Sequence, residues 1–268
     1  MKFKEKYYQI AEKNNSLVCV GLDSDIEKIP EHLKKEYEFL QFQFNKHIID
    51  STKDLVAAYK PNFAFYISQG IKGIESLQKT ISYIPADIPV ILDVKVGDIG
   101  NTMMHYAKAY LDVFNVDALT VNPLMGYDVI DPFEQYEDKY LFLLALTSNP
   151  SNTDFLNSGN MLYEGICEKI QEWDQDMLGA VVGATNDEEM STIRGILPNS
   201  LFLIPGIGAQ GGNLEKVIKY TTGKDHPNIL INSSRGIIFS YSKENEKDFD
   251  VAARDACKEL QERINSYL

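Results

Sequence analysis

The chain is short of what marks a metalloprotein, a disulfide scaffold or a membrane protein. It holds three cysteines and four histidines in 268 residues. Cys19, Cys167 and Cys257 are widely spaced with no C-x-x-C, so neither a disulfide framework nor a zinc knuckle is indicated. His32, His47, His105 and His226 form no H-E-x-x-H or comparable ligand spacing. No apolar run approaches the ~20 residues that a spanning helix needs, and residues 1–14 are charged rather than signal-like, so a cytoplasmic protein is expected. Positive charge is scarce too: 26 Lys and Arg stand against 39 Asp and Glu, a net charge of −13. Nucleic acid would be repelled by such a chain. An anionic ligand could bind only where a few cations are placed for it. The simplest remaining class is a globular enzyme that uses no metal and no organic cofactor.

What the chain does have is a recurring pattern. Short apolar runs at 17–22, 55–60, 89–96, 118–121, 141–146, 178–182, 201–204 and 228–231 alternate with longer amphipathic stretches. Near-continuous apolar strands separated by helices belong to a parallel sheet covered on both faces, and eight of them close a barrel. The length is close to the ~250 residues of one TIM barrel. No linker, low-complexity tract or short repeat interrupts it. The expected fold is therefore α/β, a (β/α)8 TIM barrel forming a single domain over 1–268, with extra helices at 2–14 and within 38–54. Residues 101–114 place Met104, Ala107, Leu111 and Phe114 on one helical face. Asp187 opens a helix over 188–196 that ends before Pro198. Residues 247–268 line up Ala253, Ala256, Leu260 and Ile264 to clamp the barrel.

In this fold the reacting groups come from the C-terminal ends of the strands. Here the runs end in Asp23, Lys60-Pro-Asn62, Asp93-Val-Lys95, Asn122, Thr147-Ser148, Thr185, Pro205-Gly206 and Ser234-Arg235, while their other ends are bland. Strand alternation turns Asp93 and Lys95 to one face, and likewise Lys60 and Asn62. Charges inside a barrel are costly unless they pair. A lone Lys–Asp pair reads equally well as a structural ion pair. Three converging charges, with Asp98 just beyond the strand, favour a reactive site. A carboxylate at about 4 Å stabilises an ammonium by roughly 4 kcal/mol at an effective dielectric near 20. Two such neighbours favour the charged lysine, whereas a Schiff-base lysine must be neutral. Lys95, held between Asp93 and Asp98, thus reads as a cation and proton donor.

The second cluster is the glycine-rich stretch 204–212, with Gln210 as an added donor. Alone it would pass for a turn, and Arg235 alone for a surface ion pair. TIM barrels commonly hold phosphate between the loops after strands seven and eight, so together they suggest a phosphate site. Cys19 and Trp173 read as packing residues, and His105 as packing or solvated.

Asp93-Val-Lys95-Val-Gly-Asp98-Ile-Gly-Asn-Thr102 resembles the D-x-K-x-x-D-I signature of the orotidine 5′-phosphate decarboxylase family. The likeness continues, in order, through Val20-Gly-Leu-Asp23, Lys60-Pro-Asn-Phe-Ala-Phe65, Thr147-Ser-Asn-Pro150, Pro205-Gly-Ile-Gly-Ala-Gln210 and Ser234-Arg235. Many members carry Gly where this chain has Ser234. The resemblance implies loss of CO2 from orotidine 5′-phosphate to give uridine 5′-phosphate, with no metal or organic cofactor. It implies that Lys95 protonates C6, that Asp93 lies beside the departing carboxylate, and that Lys60 bridges the ribose and Asp93. Asp23 and Asn62 would contact the ribose region, and Ser148 the pyrimidine amide. Gln210 and Arg235 would take the phosphate, with Pro205 and Ser234 beside them. Asp98, Ile99 and Thr102 would reach into the neighbouring subunit's site of a homodimer. Three rivals stay in view. Sister barrels acting on keto-sugar phosphates need Mg2+ and typically have Glu at the position of Asp93. A dead nucleotide-binding barrel would have lost Lys95 or an aspartate. A Schiff-base aldolase is disfavoured by the lysine's acidic neighbours.

Overall fold

The eight apolar runs become eight strands: β1 Val18–Gly21, β2 Ala58–Lys60, β3 Ile91–Val96, β4 Ala118–Val121, β5 Tyr140–Leu146, β6 Leu178–Val182, β7 Phe202–Pro205 and β8 Ile229–Ser233. The computed structural model describes residues 1–35, 37–174, 176–185, 187–207, 212–223 and 226–268, with the backbone alone at 187 and 188. All strand pairs are parallel, in the order β2-β1-β8-β7-β6-β5-β4-β3. Isolated parallel bridges Tyr59–Val90 and Asn62–Asp93 join β2 to β3 and close the ring. Strand edges shift by up to three residues from expectation, for local reasons. Asn228, for example, has a φ of 51°, outside the extended range of a regular strand, and β8 begins after it.

Helices cover the outside. Leu40–Thr52 carries the chain from β1 to β2, so it is the first barrel helix and not an addition to the fold. Between β4 and β5, two 3-10 turns, Gly126–Val129 and Asp131–Phe133, replace an α-helix; Pro132 sits within the second. Gly100–Ala107 is followed by a π-helical stretch, Lys108–Val113. Ala107 faces the core as expected, but Met103 takes the place expected for Met104, which is 47% exposed. The wider π turn then places both Tyr110 and Leu111 inside. The helix Phe249–Asn265 buries Phe249, Ala253, Cys257, Leu260 and Ile264. Cys257 takes the place expected for Ala256, because the stripe advances by four residues and then by three or four.

The helix Phe3–Asn14 seals the lower end of the barrel. It buries Phe3, Tyr7 and Ile10, and ends where Asn15 turns left-handed. The Phe3 ring stacks on Tyr140 at 5.1 Å and meets Phe142 edge-on, while the Tyr7 hydroxyl donates to the Ile229 carbonyl at 2.8 Å. With that end plugged by aromatic rings, the polar strand ends open only at the other mouth. Among the described residues, no helix is long and apolar enough to cross a membrane. Phe3→Ala should cost about 3–5 kcal/mol of stability, the usual range for deleting a buried ring. Chemical denaturation would measure it, and a loss under 1 kcal/mol would show that the plug is dispensable.

Candidate active site

The upper strand ends enclose a cavity of about 400 Å3, a size typical of small-molecule sites. Asp93 of β3 is its electrostatic centre. Lys60, the last residue of β2, donates from Nζ to Asp93 Oδ2 at 2.9 Å and lies 3.9 Å from Asp23 Oδ1. Lys95 donates to the other oxygen, Asp93 Oδ1, at 2.5 Å, where the Thr120 hydroxyl also donates at 2.9 Å. Asn62 Nδ2 reaches Oδ2 at 3.4 Å. Burial alone would raise the Asp93 carboxyl, but Lys60 and Lys95 overcome it and hold the group well below the usual carboxylate range. Burial alone would lower Lys60, but Asp93 and then Asp23 reverse that and raise it above its ordinary value. The two ammonium groups are not equivalent. The Lys60 side chain is 4% exposed and that of Lys95 is 50% exposed, so Lys95 is the one that a ligand can reach.

The β7 and β8 ends form the opposite wall, lined by Pro205, Gly206, Ser234 and Arg235. Two glycines allow these approaches. A Cβ on Gly21 would lie 1.8 Å from Ser234 Oγ and 3.2 Å from its Cα, so β1 accepts the β8 end only as glycine. A Cβ on Gly183 would lie 2.5 Å from the Ser148 nitrogen; without one, the β5 loop folds over β6 and brings Ser148 to the cavity. Asp23 Oδ1, beyond β1, and Asn232 Oδ1, on β8, are buried at the cavity without a hydrogen-bond partner among the described residues, two acceptors suited to a ligand with hydroxyl donors.

Of the residues expected from sequence, Asp23, Lys60, Asp93, Lys95, Ser148, Pro205, Ser234 and Arg235 line one cavity, and Asn62 joins it through Asp93. Gln210 lies outside the described residues. Asp98, Ile99 and Thr102 stand apart from the cavity lining. The Asp98 carboxylate accepts from the Ile99 amide at 2.8 Å, and Ile99 and Thr102 are exposed at the start of their helix. Among the described residues, Lys95 pairs with Asp93 alone, so the expected clasp between two aspartates is not made within one chain. Thr120 and Asn232 line the cavity and were not singled out from sequence. Their signal was the one polar residue of β4 in the case of Thr120, and for Asn232 a polar pair with Ser233 that ends the apolar run of β8. Among the described residues, no three His, Cys, Asp or Glu side chains are grouped to hold a metal ion.

A closed parallel barrel with one buried aspartate shared by two lysines, facing an arginine across its mouth, defines a TIM-barrel enzyme with a charged small-molecule site. Residues 16–247 match the orotidine 5′-phosphate decarboxylase / HUMPS family, and the chain belongs to it. The orotidine 5′-phosphate decarboxylase of Bacteroides fragilis is 45% identical over 273 residues, covering 99% of this chain and 98% of the relative. That of Flavobacterium johnsoniae is 46% identical, covering 98% and 97%. The solved Leishmania donovani OMP decarboxylase has a TM-score of 0.85 at 34% identity, covering 100% of this chain and 99% of that one. The Leishmania donovani UMP synthase structure has a TM-score of 0.87 at 36% identity; the chain spans 56% of its length.

The charge pairing makes a pH-dependent contribution to stability. A depressed Asp93 contributes fully above the ordinary carboxylate value near 4, and the contribution is lost as the pH falls through the lower folded value. A raised Lys60 contributes fully below about 10.4, and loses its share as the pH rises through the higher folded value. Lys60→Met should therefore destabilise by about 3–5 kcal/mol, evenly between about pH 5 and 9, and by less at pH 3. Urea midpoints at pH 7 and pH 3 measure the difference, and an equal loss at both would contradict this assignment.

Proposed function

We propose that this chain decarboxylates orotidine 5′-phosphate to uridine 5′-phosphate, in the cytoplasm, using side chains alone. The observation that carries the reading is the buried Asp93 carboxylate shared by Lys60 and Lys95 at the barrel mouth. The C6–carboxylate bond breaks, CO2 departs, and the electron pair left on C6 takes a proton from the Lys95 ammonium. Lys95 is fixed before reaction, so its charge meets the developing carbanion without solvent reorganisation. Lys60 and the acceptors of Asp23 and Asn232, which have no hydrogen bond among the described residues, suit a ribose, which presents hydroxyl donors. Asn62 sits beside the same carboxylate. Ser148 reads the pyrimidine amide. Arg235, with Gln210, Pro205 and Ser234, takes the phosphate, and the guanidinium has no ion-pair partner among the described residues. The whole of 1–268 acts as one domain.

The working unit is a homodimer in which Asp98, Ile99 and Thr102 complete the neighbouring site. Support comes from an apolar rim around the β2, β3 and β4 ends, where Ile67, Ile71, Ile99, Met104, Leu124 and Met125 are exposed. Asp98, with its side chain on its own helix start, is free to face a partner.

An absorbance assay with orotidine 5′-phosphate tests the activity. Chelator should leave the rate unchanged, and a keto-sugar phosphate should not react; the opposite pair of results would favour the sister chemistry. Lys95→Ala should lower kcat by 10^3-fold or more, roughly the upper part of the range for a proton donor. Mixing inactive Lys95→Ala and Asp98→Ala proteins should restore activity through heterodimers with one intact site. No recovery despite demonstrated subunit exchange would rule out the shared site. Arg235→Ala should cost about 3 kcal/mol in kcat/KM with the nucleotide and little with a substrate lacking phosphate. Equal losses on both would remove Arg235 from the phosphate site.

A further inference from the structure

The two lysines reach Asp93 along different backbones. Lys60 extends from a regular strand, whereas Lys95 stands on an irregular one. β3 pairs with β4 at Leu92–Leu119 and resumes at Val96–Val121, so Asp93, Val94 and Lys95 together oppose the single residue Thr120. Within this bulge Lys95 has a φ of 50°, in the left-handed region that a lysine seldom occupies. Such an excursion persists only where its surroundings hold it.

What holds it is one side-chain oxygen. Thr120 Oγ1 accepts from the Val94 amide at 3.0 Å and from the Lys95 amide at 2.9 Å, and donates to Asp93 Oδ1 at 2.9 Å. A hydroxyl has one proton and two lone pairs, and all three are engaged. The bulge breaks the ladder at these amides, and the hydroxyl replaces the lost carbonyl partners. Thr120 is 2% exposed, so water does not compete. The same oxygen that fixes the Lys95 backbone also orients the carboxylate to which Lys95 Nζ donates. Both ends of the lysine are referred to one atom on the neighbouring strand.

We infer that Thr120 is the positioning residue for Lys95 and Asp93, setting the bulge that aims the proton donor. The inference rests on the decarboxylase reading for its kinetic consequence, but not for its structural one. Thr120→Val keeps the shape and removes the hydroxyl. It should lower kcat on orotidine 5′-phosphate by about 10^2-fold, the scale of a displacement near 1 Å, and leave KM within about threefold. Thr120→Ser should recover most of kcat. Amide hydrogen exchange supplies a readout that needs no activity: the Val94 and Lys95 amides should exchange at least 10-fold faster in Thr120→Val than in wild type or Thr120→Ser. If Thr120→Val does not fold, Thr120→Ala and Thr120→Ser carry the same comparison. A Thr120→Val enzyme with unchanged kcat and unchanged exchange, or a Thr120→Ser as impaired as Thr120→Val, overturns the inference. A wild type inactive on the nucleotide, but with the expected exchange pattern, would overturn the function and leave the clamp standing.

Discussion

An ionised carboxylate in the closed interior of a barrel survives only with cations placed against it, and that requirement at Asp93 governs much of the molecule. Left alone, such a group would cost several kcal/mol in lost hydration. Its partners come from three adjacent strands: Lys60 from β2, Lys95 from β3 and Thr120 from β4. The arrangement works only if these strands keep one stagger. The β2–β3 seam is also where the ladder is thinnest, joined by isolated bridges rather than a continuous register. The Lys60–Asp93 pair spans that seam, so ring closure and charge neutralisation at this point are one event.

The division between a sealed lysine and an open one follows from the same constraint. Lys60 neutralises the carboxylate from within, and its burial keeps it there. Lys95 can then face a ligand while Asp93 keeps a second, buried cation against it. Gly21 and Gly183 do comparable work on the opposite wall, where missing Cβ atoms let loops close over the mouth. The polar side is thereby assembled before any ligand arrives, which is the condition for electrostatic stabilisation of a short-lived charge.

The barrel was readable from sequence because strands buried on both faces leave unbroken apolar runs, and all eight runs became strands. The charged core was readable because Asp93, Lys95 and Lys60 are out of place in such runs. What escaped had physical causes. Met104 was assigned inward on a constant helical period, which the π turn at Lys108–Val113 does not keep. Residues 38–54 read as surplus helix, and only the strand order shows that Leu40–Thr52 joins β1 to β2. Thr120 is the one polar residue of β4 and Asn232 stands beside Ser233 at the end of β8, and only the pairing register shows what they oppose. Alternation predicted the shared face of Asp93 and Lys95, but the backbone reaches it through a bulge. Asp98 could not be placed against Lys95 from spacing alone, because proximity in sequence does not fix which way a loop residue turns.

The helix that plugs the lower end has a consequence for how the chain is made. Phe3–Asn14 precedes every strand of the barrel in the chain, yet its partners are Asp138, Tyr140, Phe142 and Ile229. The Tyr7 hydroxyl waits for a carbonyl 222 residues downstream. Throughout synthesis the apolar face of Phe3, Tyr7 and Ile10 has no permanent seat, and the entropy of bringing it home is repaid only when β8 has joined the ring. A helix made before its partners is thus among the last elements to dock, and its apolar face stays uncovered for that interval.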